Sequence, residues 1–298
     1  MKSGIVAVVG KANAGKSTLI NVIVGEKVAI VSPKPQTTRD RILGVLTRDD
    51  YQIVFEDTPG FYKSKTELSK KMQRTAKRST KDVDVILFVL DIHEGVKEED
   101  FELLKSIATG ETKLIVALSK IDIMPKENIP EALVKIAELE NVDEIIPISS
   151  RKYKNIDELI NTILKYLPDG EFIFKEDIIS DKSEKFMIAE IMREKILLEF
   201  DKEVPHGIAV VINEFYKKPS GTYEVNLDII CEKQNHKAIL IGKQGSAIKK
   251  VSQYAREGME KFLNAKVFLT TYVKVKEDWR DRENLLQEYG YGDIDKDL

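Results

Sequence analysis

Gly10-Lys11-Ala12-Asn13-Ala14-Gly15-Lys16-Ser17 fits the spacing G-x-x-x-x-G-K-[ST], and Thr18 follows it. A short apolar run precedes the motif and a helical pattern follows, the context it requires. Glycines at this spacing let the backbone turn tightly and aim its N–H groups inward. With the positive end of the following helix they form a cradle for anions. Lys16 is expected to reach the β- and γ-phosphates of a nucleoside triphosphate, and Ser17 to offer its hydroxyl to Mg²⁺. A plain glycine turn would require neither the lysine nor both flanks.

Three further stretches complete the chemistry. Asp57-Thr58-Pro59-Gly60 ends the apolar run Gln52–Glu56. Asp57 is expected to hold the magnesium, and Gly60 to bring its N–H to the γ-phosphate. Between the two motifs lies the polar stretch Ser32–Arg39, placed where a nucleotide-sensing loop would run. There Thr37 or Thr38 would supply a hydroxyl to Mg²⁺, with Thr38 taken as the ligand; loss of the γ-phosphate would release the loop. Ser119-Lys120-Ile121-Asp122 follows another apolar run and resembles the guanine-reading pattern N-K-x-D, with serine in place of asparagine. Asp122 would accept from N1–H and the exocyclic amine of guanine, a donor pair adenine lacks, while Lys120 lies along the base. The missing amide is worth roughly 0.5–1.5 kcal/mol, so weaker nucleotide affinity is expected, not a change of base. Ser149-Ser150 stands where backbone N–H groups would support the base. Lys16, Thr38, Asp57 and Gly60 are the expected catalytic set. Phe61 follows the D-x-x-G motif, where many small GTPases carry a glutamine that orients the attacking water. The sequence also marks no arginine as a finger, so slow unstimulated turnover is expected.

The elements that must position these residues are legible as well. Ile5–Val9, Gln52–Glu56, Val83–Leu90, Lys113–Leu118 and Glu144–Pro147 read as strands buried on both faces. Arg41–Tyr51 adds another strand. Helical patterns lie between them at Lys16–Val24, Leu68–Lys81, Glu98–Ala108, Ile129–Glu138 and Ile156–Leu167. Alternation of this kind predicts an α/β fold with a mixed, mostly parallel sheet. Its 298 residues, 42% hydrophobic and 33% charged, suit two domains with packed cores. The boundaries expected are 1–170 for the first domain, 171–183 for a linker, 184–280 for a second domain and 281–298 for a charged tail. One cysteine, Cys231, excludes an internal disulfide framework and suits a reducing cytoplasm. No apolar stretch approaches the length of a membrane span.

The second domain reads helix Glu184–Phe200, strands Ile208–Tyr216 and Tyr223–Cys231, helix Ser246–Leu263 and strand Ala265–Lys276. Ile241-Gly242-Lys243-Gln244-Gly245 runs through G-x-x-G into the helix carrying Ile248, Lys249 and Lys250. Such a glycine loop lets a backbone approach nucleotides closely. From Lys237 to Lys276 there are nine Lys and Arg against two Glu, in a chain of net charge −3. That local excess suits phosphate neutralisation.

A nucleotide-binding domain followed by a G-x-x-G domain resembles the Era family of bacterial GTPases over essentially the whole chain. G-K-A-N-A-G-K-S-T, K-P-Q-T-T-R-D-R-I and D-T-P-G-F resemble that family's nucleotide motifs; V-P-H-G-I-A-V at Val204–Val210 and I-G-K-Q-G resemble its RNA-side motifs. The resemblance implies a P-loop GTPase domain followed by a smaller α+β type-II KH domain. It implies GTP and GDP as ligands and Mg²⁺ as cofactor. It also implies 16S rRNA near its 3′ end as partner, with a role in maturing the 30S ribosomal subunit. A monomer in the cytoplasm, with peripheral association to the inner membrane face, is expected. Asn13 matches a position at which related GTPases hold K⁺. The alternative is an RNA-binding KH module whose nucleotide domain does not switch. The base assignment is open to test: Asp122→Asn should shift preference from guanine toward xanthine nucleotides in competition binding, and unchanged GTP binding would refute it.

Overall fold

The computed structural model describes residues 1–60, 66–80, 82–93, 95–108, 112–125, 128–139 and 141–291. Phe61 therefore lies outside the described residues. The chain divides into two compact units. One comprises Met1–Val31, Thr38–Lys63 and Met72–Asp181; the other comprises Ser32–Thr37, Ser64–Lys71 and Lys182–Leu298.

The first unit is built on a six-stranded sheet of β1 (Lys2–Val9), β2 (Ile42–Thr47), β3 (Tyr51–Asp57), β4 (Val85–Asp91), β5 (Lys113–Ser119) and β6 (Glu144–Pro147). The order is β2-β3-β1-β4-β5-β6. Only β2 runs antiparallel, paired to β3. Parallel strands need crossovers, supplied by α1 (Lys16–Val24) together with β2, and by α2 (Glu67–Arg78), α3 (Glu98–Ile107) and α4 (Asn128–Ala137); α5 (Ile156–Tyr166) follows the last strand. Alternation along β1 explains why its run is apolar throughout. Val6 and Val8 enter a core with Leu19, Ile20 and Ile163. Ala7 and Val9 enter one with Leu104 and Ile136 on the opposite face. Such a sheet binds ligands beyond the carboxyl ends of its strands. The register brings those ends together: Val8 pairs with Asp57, and Asp91 with Ser119. The strand expected over Arg41–Tyr51 breaks at the tight connection Arg48–Asp50. There the Arg48 N–H donates to the Tyr51 carbonyl and starts a hairpin.

The second unit follows the order α6 (Glu184–Glu199), β7 (Ile208–Lys217), β8 (Tyr223–Cys231), α7 (Gln234–Ile241), α8 (Ser246–Leu263), β9 (Val267–Val275). The sheet order is β7-β8-β9, with β7/β8 antiparallel and β8/β9 parallel. Helix–strand–strand–helix–helix–strand, with G-x-x-G between the inner helices, is the type-II KH arrangement. Ser183 caps α6 by accepting from the Phe186 N–H at 3.2 Å. Cys231 is fully buried among these elements, and burial pushes its thiol above the usual range. α7 was not anticipated from the sequence.

Part of the expected charged tail is folded. Trp279 is fully buried, donates its indole N–H to the Gly207 carbonyl at 3.0 Å, and packs against Tyr289 and Tyr291. α9 (Glu283–Glu288) buries Leu285 and Leu286. Replacing Trp279 with alanine should therefore cost about 3–5 kcal/mol of the C-terminal unit's stability. Urea unfolding followed by circular dichroism checks this; a change below 1 kcal/mol would contradict the packing described.

Candidate functional site

The loop after β1 wraps around its own lysine. Lys16 is 6% exposed, and its ammonium donates to the carbonyls of Gly10 (3.0 Å) and Lys11 (2.8 Å). Burial lowers Lys16 to about 8, against the attraction of Asp57. Lys11 reaches away from the loop to Glu99 (3.0 Å) and Asp100 (3.2 Å) on α3. Asn13 adopts a left-handed backbone and is exposed, while Ala14 is buried.

Asp57, the last residue of β3, is fully buried. Its Oδ2 accepts from Ser17 Oγ at 2.7 Å and Thr38 Oγ1 at 3.2 Å, and the two hydroxyls lie 3.0 Å apart. Its Oδ1 has no hydrogen-bond partner among the described residues. Burial raises its pKa, opposed by Lys16 and the two hydroxyls. A buried carboxylate oxygen without a partner is costly. Two hydroxyls and a carboxylate are hard oxygen donors, which suit Mg²⁺. The residues present therefore fit the ion: Ser17 and Thr38 as ligands, Asp57 directly or through water. The structure also separates the two threonines. Thr37 Oγ1 donates to the Lys34 carbonyl at 2.6 Å and does not join the cluster.

Gly60 follows closely. A Cβ there would lie 2.7 Å from the Ala12 N, so only glycine lets this backbone approach the phosphate loop. Thr58 serves the frame instead: its buried hydroxyl donates to the Val8 carbonyl at 3.0 Å.

At the other end of the cradle, Ser119 Oγ donates to the Ala14 carbonyl at 2.7 Å. This serine is thus a tether between β5 and the phosphate loop. Lys120 has a left-handed backbone (φ 64°), and its ammonium pairs with Asp91 Oδ2 at 2.6 Å. Burial works against the Asp91 charge. Hydrogen bonds from Lys120 and His93 outweigh it and hold the carboxyl below its usual range. Ile121 is buried in the core. Asp122 Oδ1 accepts from Ser149 Oγ at 2.7 Å, and the same hydroxyl accepts from the Lys152 N–H at 3.1 Å. The Ser150 carbonyl accepts from the Tyr153 N–H at 3.4 Å. Sequence reasoning missed Asp91 and the side-chain role of Ser149. A carboxylate closing the apolar run of β4 was the available signal for the first.

In the second unit Gly242 has φ 70° and ψ 178°, and a Cβ there would meet the Ala247 Cβ at 2.7 Å. Lys243, Gln244, Lys249 and Lys250 are exposed at the start of α8, while Ile241 and Ile248 are half-buried. Ile248 packs against the core. Lys250 pairs with Glu199 at 2.7 Å, so it is less available to an anion than its neighbours.

Residues 5–120 match a family described as a 50S ribosome-binding GTPase, and residues 203–280 match the KH domain. The chain is 47% identical to GTPase Era of Clostridium kluyveri over 291 residues, 98% of this chain and 99% of that protein. It belongs to the GTPase Era family. GTPase Era of Clostridium botulinum is 48% identical over 97% of this chain and 98% of its own. Two solved Era structures share the fold at TM-score 0.93 and 42% identity, each covering 98% of this chain. One is an Aquifex aeolicus variant bound to GDP·AlF₄⁻, covered in full. The other is Era in complex with MgGDPNP and nucleotides 1506–1542 of 16S ribosomal RNA, covered over 99% of its length. Like its Era relatives, the chain is a GTPase.

The Ser149–Asp122 contact yields a prediction. A hydrogen bond to a charged group is worth about 1.5–3 kcal/mol. Ser149→Ala should therefore weaken GDP binding at least tenfold in a fluorescent-nucleotide titration. Unchanged affinity would show that Asp122 needs no such support.

Proposed function

We propose that this chain is a GTP-controlled RNA-binding switch. It would recognise small-subunit rRNA near the 3′ end and assist maturation of the 30S subunit. The observation that carries the reading is the Ser17–Thr38–Asp57 cluster with its unpartnered carboxylate oxygen, in one chain with an exposed lysine-flanked G-x-x-G. A relative 42% identical, solved with both MgGDPNP and a 16S rRNA segment, supports the pairing of ligands.

In this reading the loop amides and Lys16 bind the β- and γ-phosphates. Asp122, oriented by Ser149, selects guanine, and Lys120 leaves Asp91 to lie along the base. Ser119 keeps the phosphate loop registered against β5 but offers no amide to the purine. Bound Mg²⁺ neutralises charge on the phosphates. Gly60 reports the γ-phosphate to the segment after it, and Thr38 to the segment before it; loss of that phosphate releases both. Phe61 brings no water-orienting group, so bound GTP is long-lived without a stimulator. A monovalent cation beside Asn13 is the proposed accelerator, with K⁺ as its identity. Lys243 and Lys249 supply phosphate contacts for RNA. Cytoplasmic residence as a monomer belongs to the same reading. Among the described residues no helix is long and apolar enough to cross a membrane, so membrane attachment would be peripheral.

RNA affinity measured with a GTP analogue, GDP and no nucleotide, across salt, tests the switch. At least fivefold difference between nucleotide states is expected. The Lys243→Ala/Lys249→Ala variant should lower the salt slope by about 1 to 2. Equal affinities in all three states would leave two functions on one chain without a switch. Single-turnover hydrolysis by the isolated protein should be slow and quicken with K⁺; fast turnover in Na⁺ alone would contradict the role given to Phe61 and Asn13.

A further inference from the structure

The base end of the nucleotide site lies wholly within the N-terminal unit, and one of its contacts opposes the use proposed for it. Lys120 Nζ pairs with Asp91 Oδ2 at 2.6 Å. Asp91 closes β4 and is registered opposite Ser119, the residue before Lys120. Its other oxygen accepts from the His93 N–H at 3.1 Å and lies 2.7 Å from His93 Nδ1. Strand pairing and the turn after β4 thus hold the carboxylate in place, apart from anything the lysine does.

The backbone of Lys120 is held as firmly. It has φ 64°, and its carbonyl accepts from the Ile123 N–H at 3.1 Å. The next residue, Ile121, is buried and donates its N–H to the Ile148 carbonyl at 3.3 Å. Only rotation of the lysine side chain can part the pair, because Asp91 is not free to follow. One ammonium therefore has two claimants, the carboxylate and a nucleotide. Asp122 faces no such choice: a carboxylate has two oxygens, and the Ser149 hydroxyl takes Oδ1. The ion pair is partly exposed, at 22% for Asp91 and 33% for Lys120, so water screens it and a ligand can break it.

On the reading that Lys120 lies along the base, we propose that Asp91 sets the affinity for guanine nucleotides by competing with them for Lys120. Held by His93 and by β4, it draws the ammonium aside, and a nucleotide binds only to the fraction of molecules in which the lysine is released. Apparent affinity falls by that fraction. The effect is the same for GDP and GTP, because Lys120 addresses the end of the nucleotide that the two share. Asp91 acts through Lys120 and is a positioning residue, not a catalytic one.

Stopped-flow binding of fluorescent GDP and a fluorescent GTP analogue to the full chain tests this. Asp91→Asn keeps the size of the side chain and an oxygen for the His93 N–H while removing the charge. It should speed association about fivefold for both nucleotides, the scale of a partly exposed ion pair, and leave dissociation within about twofold. A merely structural loss would speed dissociation instead. Lys120→Ala, alone and combined with Asp91→Asn, closes a double-mutant cycle. Without Lys120, Asp91→Asn should change association by less than about twofold. A gain that persists there would be plain repulsion between Asp91 and an anionic ligand, and would overturn the role. Unchanged or slower association in Asp91→Asn would overturn it as well. If Lys120→Ala made in the Asp91→Asn chain leaves nucleotide affinity unchanged, Lys120 does not touch the nucleotide, and the base-site reading fails first.

Discussion

One fully buried carboxylate sets the terms for the rest of the nucleotide site. Asp57 ends the strand β3 with two hydroxyls on one oxygen and no partner among the described residues on the other. Without a cation, that arrangement is unfavourable. The sheet makes it tolerable by rigidity: β3 is paired along its length to β1 and β2, so Asp57 cannot turn outward without breaking the register. The phosphate loop and the segment that starts at Thr38 meet at that fixed point through two hydroxyls, Ser17 from one and Thr38 from the other.

The base end follows a similar plan with weaker constraints. Ser119, Lys120 and Asp122 each have a partner within the unit: the Ala14 carbonyl, Asp91 and Ser149. In the proposed reading one of these partners, Ser149, holds a residue that addresses the base, so Asp122 is oriented before a ligand arrives, whereas Lys120 must give up Asp91. A pre-ordered site loses less entropy on binding. This offsets part of what the missing asparagine amide would have contributed, and Ser119 still joins the strand to the loop.

Much of this was legible in the sequence, for identifiable reasons. Strands buried on both faces read as unbroken Val, Ile and Leu, so β1, β4 and β5 were plain. The phosphate motif carries its own backbone requirement in its glycines. What the sequence hid was the direction of side chains. Residue types alone left Thr37 and Thr38 equivalent; Thr38, the one taken as the ligand, is the one whose hydroxyl meets Asp57, while Thr37 turns to the Lys34 carbonyl. Ser149 reads as a backbone support, and nothing in the sequence signals that its hydroxyl also donates to Asp122, at 2.7 Å. Asp91 looked like the polar end of a core strand. α7 was missed because its eight residues, Gln234–Ile241, read as the approach to a glycine turn. The fold around Trp279 was missed because its few apolar residues are spread among charges.

The central claim is that the Asp57 cluster exists to bind a divalent cation together with a triphosphate. Electron paramagnetic resonance of Mn²⁺, titrated into the full chain with a non-hydrolysable GTP analogue, tests it directly. One tightly bound Mn²⁺ per chain is predicted for the wild type, lost in Asp57→Ala while the variant stays folded. Equal Mn²⁺ binding by the two proteins would contradict the account.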